Sequence, residues 1–444
     1  MPSSHPRPPS CHWFSRRASA LDPRSAPRLA WRLVGAVLAR GRRTVTSWIR
    51  AAGLAGEYRP CDTTVAAAGT RTDPLAAHLA HDVVRPLVAR ADRLTFALDD
   101  TPTERHGRPV QGAGVHHNPT PGPAGSAFVY GHVWVVLGRP ATHPVWGVVA
   151  RPLLARMYVR ETNLAGIAPA NRPAFRTELE LAVELMRWAK IWLGMLGKPL
   201  WVVTDGAYAS APFLGPMKAL AVTVVSRLRK DANRRTVPGP RPPHRRGPNR
   251  IYGEPRIHRA KRGGQRRGWA TGTVTLYGKP TTKRYTTFVA TWRPAGGAIR
   301  VVLVDEPNGW VAFFCTDPAA TVADILESAA ARFSLEVTFR DVKGTVGAGP
   351  QQVRRVRARV GAFHVCLWTF TRTEAWAWER PADVLVGHRS ASPWDDGTRR
   401  PRHADKRRAW RRELLAEQIH AVLRPGRTET QIQAAAERLL DLAA

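Results

Sequence analysis

The chain has 444 residues, enough for two or three domains and a sizeable core, and with 43% hydrophobic residues and 16 tryptophans it is not wholly disordered. Its 68 Lys and Arg against 34 Asp and Glu leave a net charge of +34, which requires a polyanionic partner. The basic residues run the whole length and no stretch reaches the roughly 18 apolar residues of a spanning helix, so membrane insertion is excluded and nucleic acid is the expected partner.

Residues 1–28, rich in Pro, Ser and Arg, read as a disordered basic leader with no secretory pattern. Cys11, Cys61, Cys315 and Cys366 are too scattered for a zinc site. With no sign of export, the thiols are expected to be reduced and the protein cytoplasmic. Residues 29–91 carry helical patterning: Leu29, Leu33, Val37 and Leu38 share a face, Arg40 to Arg43 form a basic turn, and Thr44 to Ala52 continue as a second helix. Helix, basic turn, helix suits a DNA-binding unit in which Arg42, Arg43 and Arg50 meet DNA and Trp48 packs inside; an ordinary helical hairpin with a solvated turn fits the spacing equally well. The segment Glu57 to Asp73 lacks helical continuity.

Residues 92–235 alternate strand and helix signals: strands at Leu94–Leu98, His132–Leu137, Val145–Val149 and Leu200–Thr204, and a helix from about Pro173 to Leu193 with Leu181, Leu185, Trp188 and Trp192 on one stripe. This predicts an α/β domain with a mixed sheet. Arg227 to Arg267 holds 15 Lys or Arg residues against Asp231 and Glu254, too charged to form a core and suited to clamping a phosphate backbone. Trp269–Tyr277, Tyr285–Trp292 and Ile299–Val304 alternate as strands, so 236–315 reads as a basic loop and β-rich insertion. Residues 316–390 return to the α/β unit with a helix from Ala320 to about Val346, and 391–444 form a basic tail, Arg399 to Arg412, with a last helix at Glu429–Leu442.

Acidic residues stand at the ends of this pattern. Asp99 and Asp100 follow the first strand, Asp205 follows Leu200–Thr204, and ligands of open α/β sheets collect beyond carboxyl strand ends. Any one of these Asp residues is an ordinary cap or turn residue; their recurrence in one unit favours a site. Glu336 lies in the helix of 316–390, where Arg332, Glu336 and Lys343 fall on one face. A stacked Arg, Glu and Lys is by itself a solvated, ion-paired helix face.

Arg332-x3-Glu336-x6-Lys343 resembles the third motif, Tyr-x2-Arg-x3-Glu-x6-Lys, of the insertion-sequence DDE transposases, with Ala329 in place of the Tyr. Leu98-Asp99-Asp100-Thr101 is similar to that family's first motif, which selects Asp99 when counted as Asp-x-Thr and Asp100 when aligned on relatives with a preceding acid. Val202-Val203-Thr204-Asp205 is similar to the second. The resemblance implies an RNase H-like fold, a mixed sheet flanked by helices, with a β-rich insertion between Asp205 and Glu336 and an N-terminal helical domain. It further implies two Mg²⁺ ions, replaceable by Mn²⁺, held by Asp99 or Asp100, Asp205 and Glu336, because hard cations about 3.5–4 Å apart activate water and stabilise the leaving oxygen at a phosphodiester. Arg332 and Lys343 would then contact DNA phosphate. The expected activity is cleavage at element ends and strand transfer into target DNA by a homodimer on double-stranded DNA, associated with the nucleoid. A catalytically decayed DNA-binding descendant, or an RNase H-like nuclease without strand transfer, is the alternative.

Overall fold

A computed structural model describes residues 20–88, 91–106, 110–118, 125–229, 231–241, 244, 247–257, 268–387, 389, 395, 399–423, 425–426 and 428–443. Most of the expected leader and residues 258–267 of the basic segment lie outside them. The described residues open with four α-helices, α1 (Ser25–Leu38), α2 (Val45–Ala51), α3 (Tyr58–Thr70) and α4 (Thr72–Val88). The first two match the expected pair, joined through Gly41 at φ 58°, a conformation that favours glycine. Trp48 is fully buried, as expected. The expectation for Glu57 to Asp73 is corrected, because α3 fills most of it: Cys61, Val65 and Ala68 form a short buried stripe, too small in volume to stand out by hydrophobic periodicity.

The described strands form one sheet: β1 (Leu94–Glu104), β2 (Gly114–His117), β3 (Phe128–His143), β4 (Gly147–Tyr158), β5 (Leu200–Thr204), β6 (Val222–Arg227), β7 (Arg234–Arg235), β8 (Ala270–Leu276), β9 (Lys279–Trp292), β10 (Gly297–Glu306) and β11 (Gly309–Cys315). β1, β3 and β4 are antiparallel neighbours, while β5 runs parallel to both β1 and β6. Parallel neighbours need a crossover, supplied by α6 (Glu178–Leu193) before β5 and α7 (Ala211–Ala219) before β6; a short α5 (Glu161–Leu164) precedes them. This is the mixed sheet flanked by helices of an RNase H-like fold. The β-rich stretch does not form a separate sheet: β11 pairs antiparallel with β6, and β10, β9 and β8 extend the same sheet outward.

The remaining α-helices of the described residues are α8 (Val322–Asp341), α9 (Val356–Ala377), α10 (Ala382–Val386), α11 (His403–Val422) and α12 (Glu429–Ala443). Thr321 and Asp324 cap α8 reciprocally, and Arg93 holds the Asp324 carboxylate at 2.5 Å, fixing where the helix starts. α9 is buried on nearly all sides and lies along β4, which pairs with no strand but β3 among the described residues. Its polar side chains serve that otherwise unpaired edge. His364 accepts the Ala155 N–H at 3.1 Å, Trp368 donates to Leu153 O at 2.9 Å and Thr371 to Pro152 O at 2.5 Å. Phe363 stacks on Trp134 of β3, 3.9 Å between ring centres, and α3 crosses the far side of α9. The core thus sits between the sheet and helices on both faces.

The basic stretch Arg399 to Arg412 of the expected tail is largely built into this packing. Lys406 and His403 pair with the buried Glu374 of α9 at 2.6 and 2.7 Å, while Arg407 donates to Ala36 O at 3.1 Å and Arg411 to Leu38 O at 2.9 Å. These guanidinium groups satisfy carbonyls at the end of α1, which otherwise lack partners. Similarly, Arg234 of the other basic segment is buried in β7 beside β9.

Candidate active site

β1 does not end at Leu98. It runs on to Glu104 because β3 supports it through Ala97↔Gly138 to Glu104↔Gly131, whereas its pairing with β5 stops at Ala97↔Val203. Asp99 and Asp100 therefore sit mid-strand at the point where one neighbour departs. Successive side chains of a strand point to opposite faces, so the two carboxylates part company. Asp99, 8% exposed, faces α8, and Asp100 faces the N-terminus of α6 and opens to solvent. Asp205 lies two residues beyond the last residue of β5 that pairs with β1, near enough to repel the Asp100 carboxylate and to support the charge of Arg332. Asp205 leaves β5 and accepts a hydrogen bond from the Gly206 N–H, and its main-chain oxygen accepts from Ser226 Oγ at 2.9 Å.

Arg332 is the centre of the arrangement. Its guanidinium donates to the Asp99 carboxylate and, through Nη2, to Glu336 Oε1 at 2.8 Å. Burial works against its charge, but Asp99, Glu336 and Asp205 outweigh it and hold the guanidinium above its usual pKa. Burial pushes the Asp99 carboxyl up to about 7, with Asp100 and Glu336 adding repulsion and Arg332 opposing both. Asp100 is raised by the protein packed around it and by Asp205. Two of the motif carboxylates, Asp99 and Glu336, thus pair with one cation, and Asp205 lies within its electrostatic reach. Among the described residues no three His, Cys, Asp or Glu side chains stand together as a ready-made metal-binding group, and the cation that Asp99 and Glu336 share is Arg332.

Lys343 lies on a π-helical turn, Val342–Val346, that continues α8; its Nζ reaches Pro102 O of β1 at 3.5 Å, and desolvation lowers its pKa. Arg332, Glu336 and Lys343 therefore run along β1 as their spacing predicts. Gly347, at φ 106°, ends the turn against the Arg43 carbonyl, and Arg43 Nη1 donates to Gly344 O at 3.3 Å. Arg43 is thus tied to the segment bearing Lys343, whereas Arg42 and Arg50 are exposed on the helical pair.

A cleft of about 570 Å³ opens beside Arg332, with Asp205, Arg227, Lys283 and Ala329 in its walls. Ala329 puts only a methyl group in this wall, and Tyr277, at the β8–β9 turn, enters the same wall edge-on to Phe333, 5.7 Å between ring centres. Sequence reasoning missed Tyr277 and Lys283 because nothing in a hairpin's own pattern says which helix it will meet.

Residues 19–296, more than half of the chain, match the family described as DDE superfamily endonuclease. The matched span includes Asp99, Asp100 and Asp205 and ends before α8 with Glu336. No curated protein matches the chain. With both Asp motifs inside the match and the mixed sheet beneath them, the chain belongs to the DDE superfamily endonucleases.

Proposed function

We propose that this chain is a DNA transposase that hydrolyses phosphodiester bonds at element ends and joins the freed ends to target DNA. The reading is carried by the pairing of Asp99 and Glu336 with Arg332 and by Asp205 within electrostatic reach of the same cation, three carboxylates from a central strand, the end of its parallel neighbour and a crossing helix. Together they bear more negative charge than one guanidinium neutralises, and an all-oxygen set suits Mg²⁺ or Mn²⁺. Asp99, Asp205 and Glu336 would hold the metal, which supplies activation of water and stabilisation of the leaving oxygen. Asp99 rather than Asp100 takes the first position, because it shares a face of β1 with Glu336. Arg332 presents a planar fork and Lys343 a point charge to phosphates lying along β1. Arg42 and Arg50 contact the terminal repeats from the helical pair, with Arg43 linking that pair to the Lys343 turn. Two copies hold the two ends, in the cytoplasm at the nucleoid.

The test is to incubate the full-length protein with linear DNA carrying the element ends and a supercoiled plasmid, with Mg²⁺ or with EDTA. Cleaved and joined products are expected with Mg²⁺ and none with EDTA. Cleavage that persists in EDTA or in Asp205→Ala overturns the reading, and cleavage without joined product reduces it to a nuclease.

A further inference from the structure

A cavity of about 720 Å³, the size of a small-ligand site, lies on another side of α8 from the motif carboxylates. Phe333, Val337 and Asp341 line it, whereas Arg332 and Glu336 stand about 100° around the helix, towards β1. Its opposite wall is the segment Arg399 to Arg402 and the first turn of α11. Beside Trp146 and Tyr277 the start of β4 meets the β8–β9 turn, so tightly that a Cβ on Gly278 would come within 2.8 Å of the Gly147 backbone. The cavity is therefore a recess closed at that end.

One wall is cationic. Arg340, Arg400 and Arg402 are exposed along it and form no ion pair with a described residue. Glu374 is engaged by His403 and Lys406, and Asp405 by Arg389 and Arg399. Asp341, the remaining acid of the lining, has its carboxyl pushed up by burial, which weakens its opposition to an anion. His403 and Ala404 open α11 in the same wall, and the N–H groups of a helix's first turn lack partners within it and attract an anion. His403 adds an independent observation. Its side chain is 1% exposed, Glu374 holds its Nδ1, and its Nε2 is buried without a partner among the described residues. A buried polar atom left so calls for a ligand that completes it.

The other wall is aromatic. Phe333 and Tyr277 are 46% and 61% exposed, and both line the recess. Trp146 is already covered by His143 and Lys406, so these two rings are the surface on which a flat molecule can lie.

We propose that this recess binds a free nucleoside di- or triphosphate, its base on Phe333 and Tyr277 and its phosphates among Arg340, Arg400, Arg402 and the start of α11. An inorganic anion would leave the aromatic pair uncovered, and a flat uncharged molecule would leave the guanidinium groups without counter-charge. The closed end suits a ligand that terminates there better than a strand passing through. The site does not depend on the chain cutting DNA.

Isothermal titration calorimetry of the full-length protein tests the proposal, in EDTA so that no metal at the motif carboxylates takes part. The probes are ATP, GTP, CTP and UTP, their nucleosides, and inorganic triphosphate. At least one nucleoside triphosphate is expected to bind, one per chain, at least tenfold more tightly than its nucleoside or inorganic triphosphate. Phe333→Ala and the double variant Arg340→Ala/Arg402→Ala are each expected to weaken it at least tenfold, and Arg227→Ala, in the cleft beside Arg332, to leave it unchanged. All four side chains are exposed, so these variants should keep the fold, which far-UV circular dichroism checks. Inorganic triphosphate binding as tightly as the nucleotides, or wild-type affinity in both recess variants, overturns the site. If no mononucleotide binds but a short single-stranded oligonucleotide binds and is lost in Phe333→Ala, the recess takes a base of a strand and the proposal fails. Absence of all binding also overturns it and leaves the cleavage reading standing, since that is judged from DNA products.

Discussion

At the scale of single residues, one step of the pleat decides between two adjacent carboxylates. Asp99 and Asp100 are equivalent by motif, but alternation along β1 gives Asp99 to Arg332 and Glu336 and turns Asp100 towards Glu178, where it also feels Asp205. Asp99→Asn is therefore expected to lower cleavage by about two orders of magnitude or more, the size expected when a group acting on transition-state charge is removed. Asp100→Asn is expected to cost less; equal losses measured by single-turnover cleavage would argue against separate faces with separate roles. Asp205 and Glu336 are legible as candidates in the sequence itself, because an apolar strand running into Asp and an Arg-x3-Glu-x6-Lys spacing are local patterns. The approach of Glu178 to Asp100 is not, since a glutamate in the first turn of a helix looks like a capping residue until its neighbour Glu180 is seen to do the capping.

At the scale of elements, the helices that close over the sheet depend on a few contacts with no local signature. Glu374 of α9 is fully buried between His403 and Lys406 of α11; burial opposes its charge, but the two basic partners overcome it and hold the carboxyl down to about 2. A carboxylate depressed from an unfolded value of about 4.3 stabilises the fold at pH values above 4.3, and that contribution is lost as pH falls towards 2. Urea denaturation midpoints should accordingly drop between about pH 4.5 and 3 in the wild type and drop less in Glu374→Gln. Glu374→Ala leaves Lys406 buried without its counterion and should cost about 3–5 kcal/mol at pH 7. α3 and α9 cross through glycines: a Cβ on Gly361 would run into the Val65 carbonyl and one on Gly69 into that of Arg357. Gly361→Ala is expected to destabilise the protein by about 1–3 kcal/mol, read as a lower thermal midpoint. α9 gives no periodic signal in the sequence because it is buried all round, and an amphipathic stripe is what marks a helix there.

At the scale of the whole molecule, the +34 charge is legible at once, but not how it is divided. Arg407, Arg411, Lys406 and Arg234 serve the fold, whereas Arg42 and Arg50 remain exposed beside the segment that leads to Lys343. Affinity for DNA should fall about a thousandfold or more between 50 and 200 mM salt if six or more phosphates are contacted. Arg42→Ala and Arg50→Ala should each reduce the salt slope by about 1 in fluorescence anisotropy titrations; unchanged slopes would remove the helical pair from the DNA interface. Composition, hydrophobic periodicity and three short motifs determined the partner class, the α/β core and four candidate carboxylates at three motif positions, because each is written in neighbouring residues or in sums over the chain. Tertiary structure alone decided that β8 to β11 extend the same sheet, that Arg332 joins Asp99 to Glu336, and that Asp100 turns towards Glu178. Those outcomes depend on strand register and helix placement, which join residues up to hundreds of positions apart and leave no trace in any local pattern.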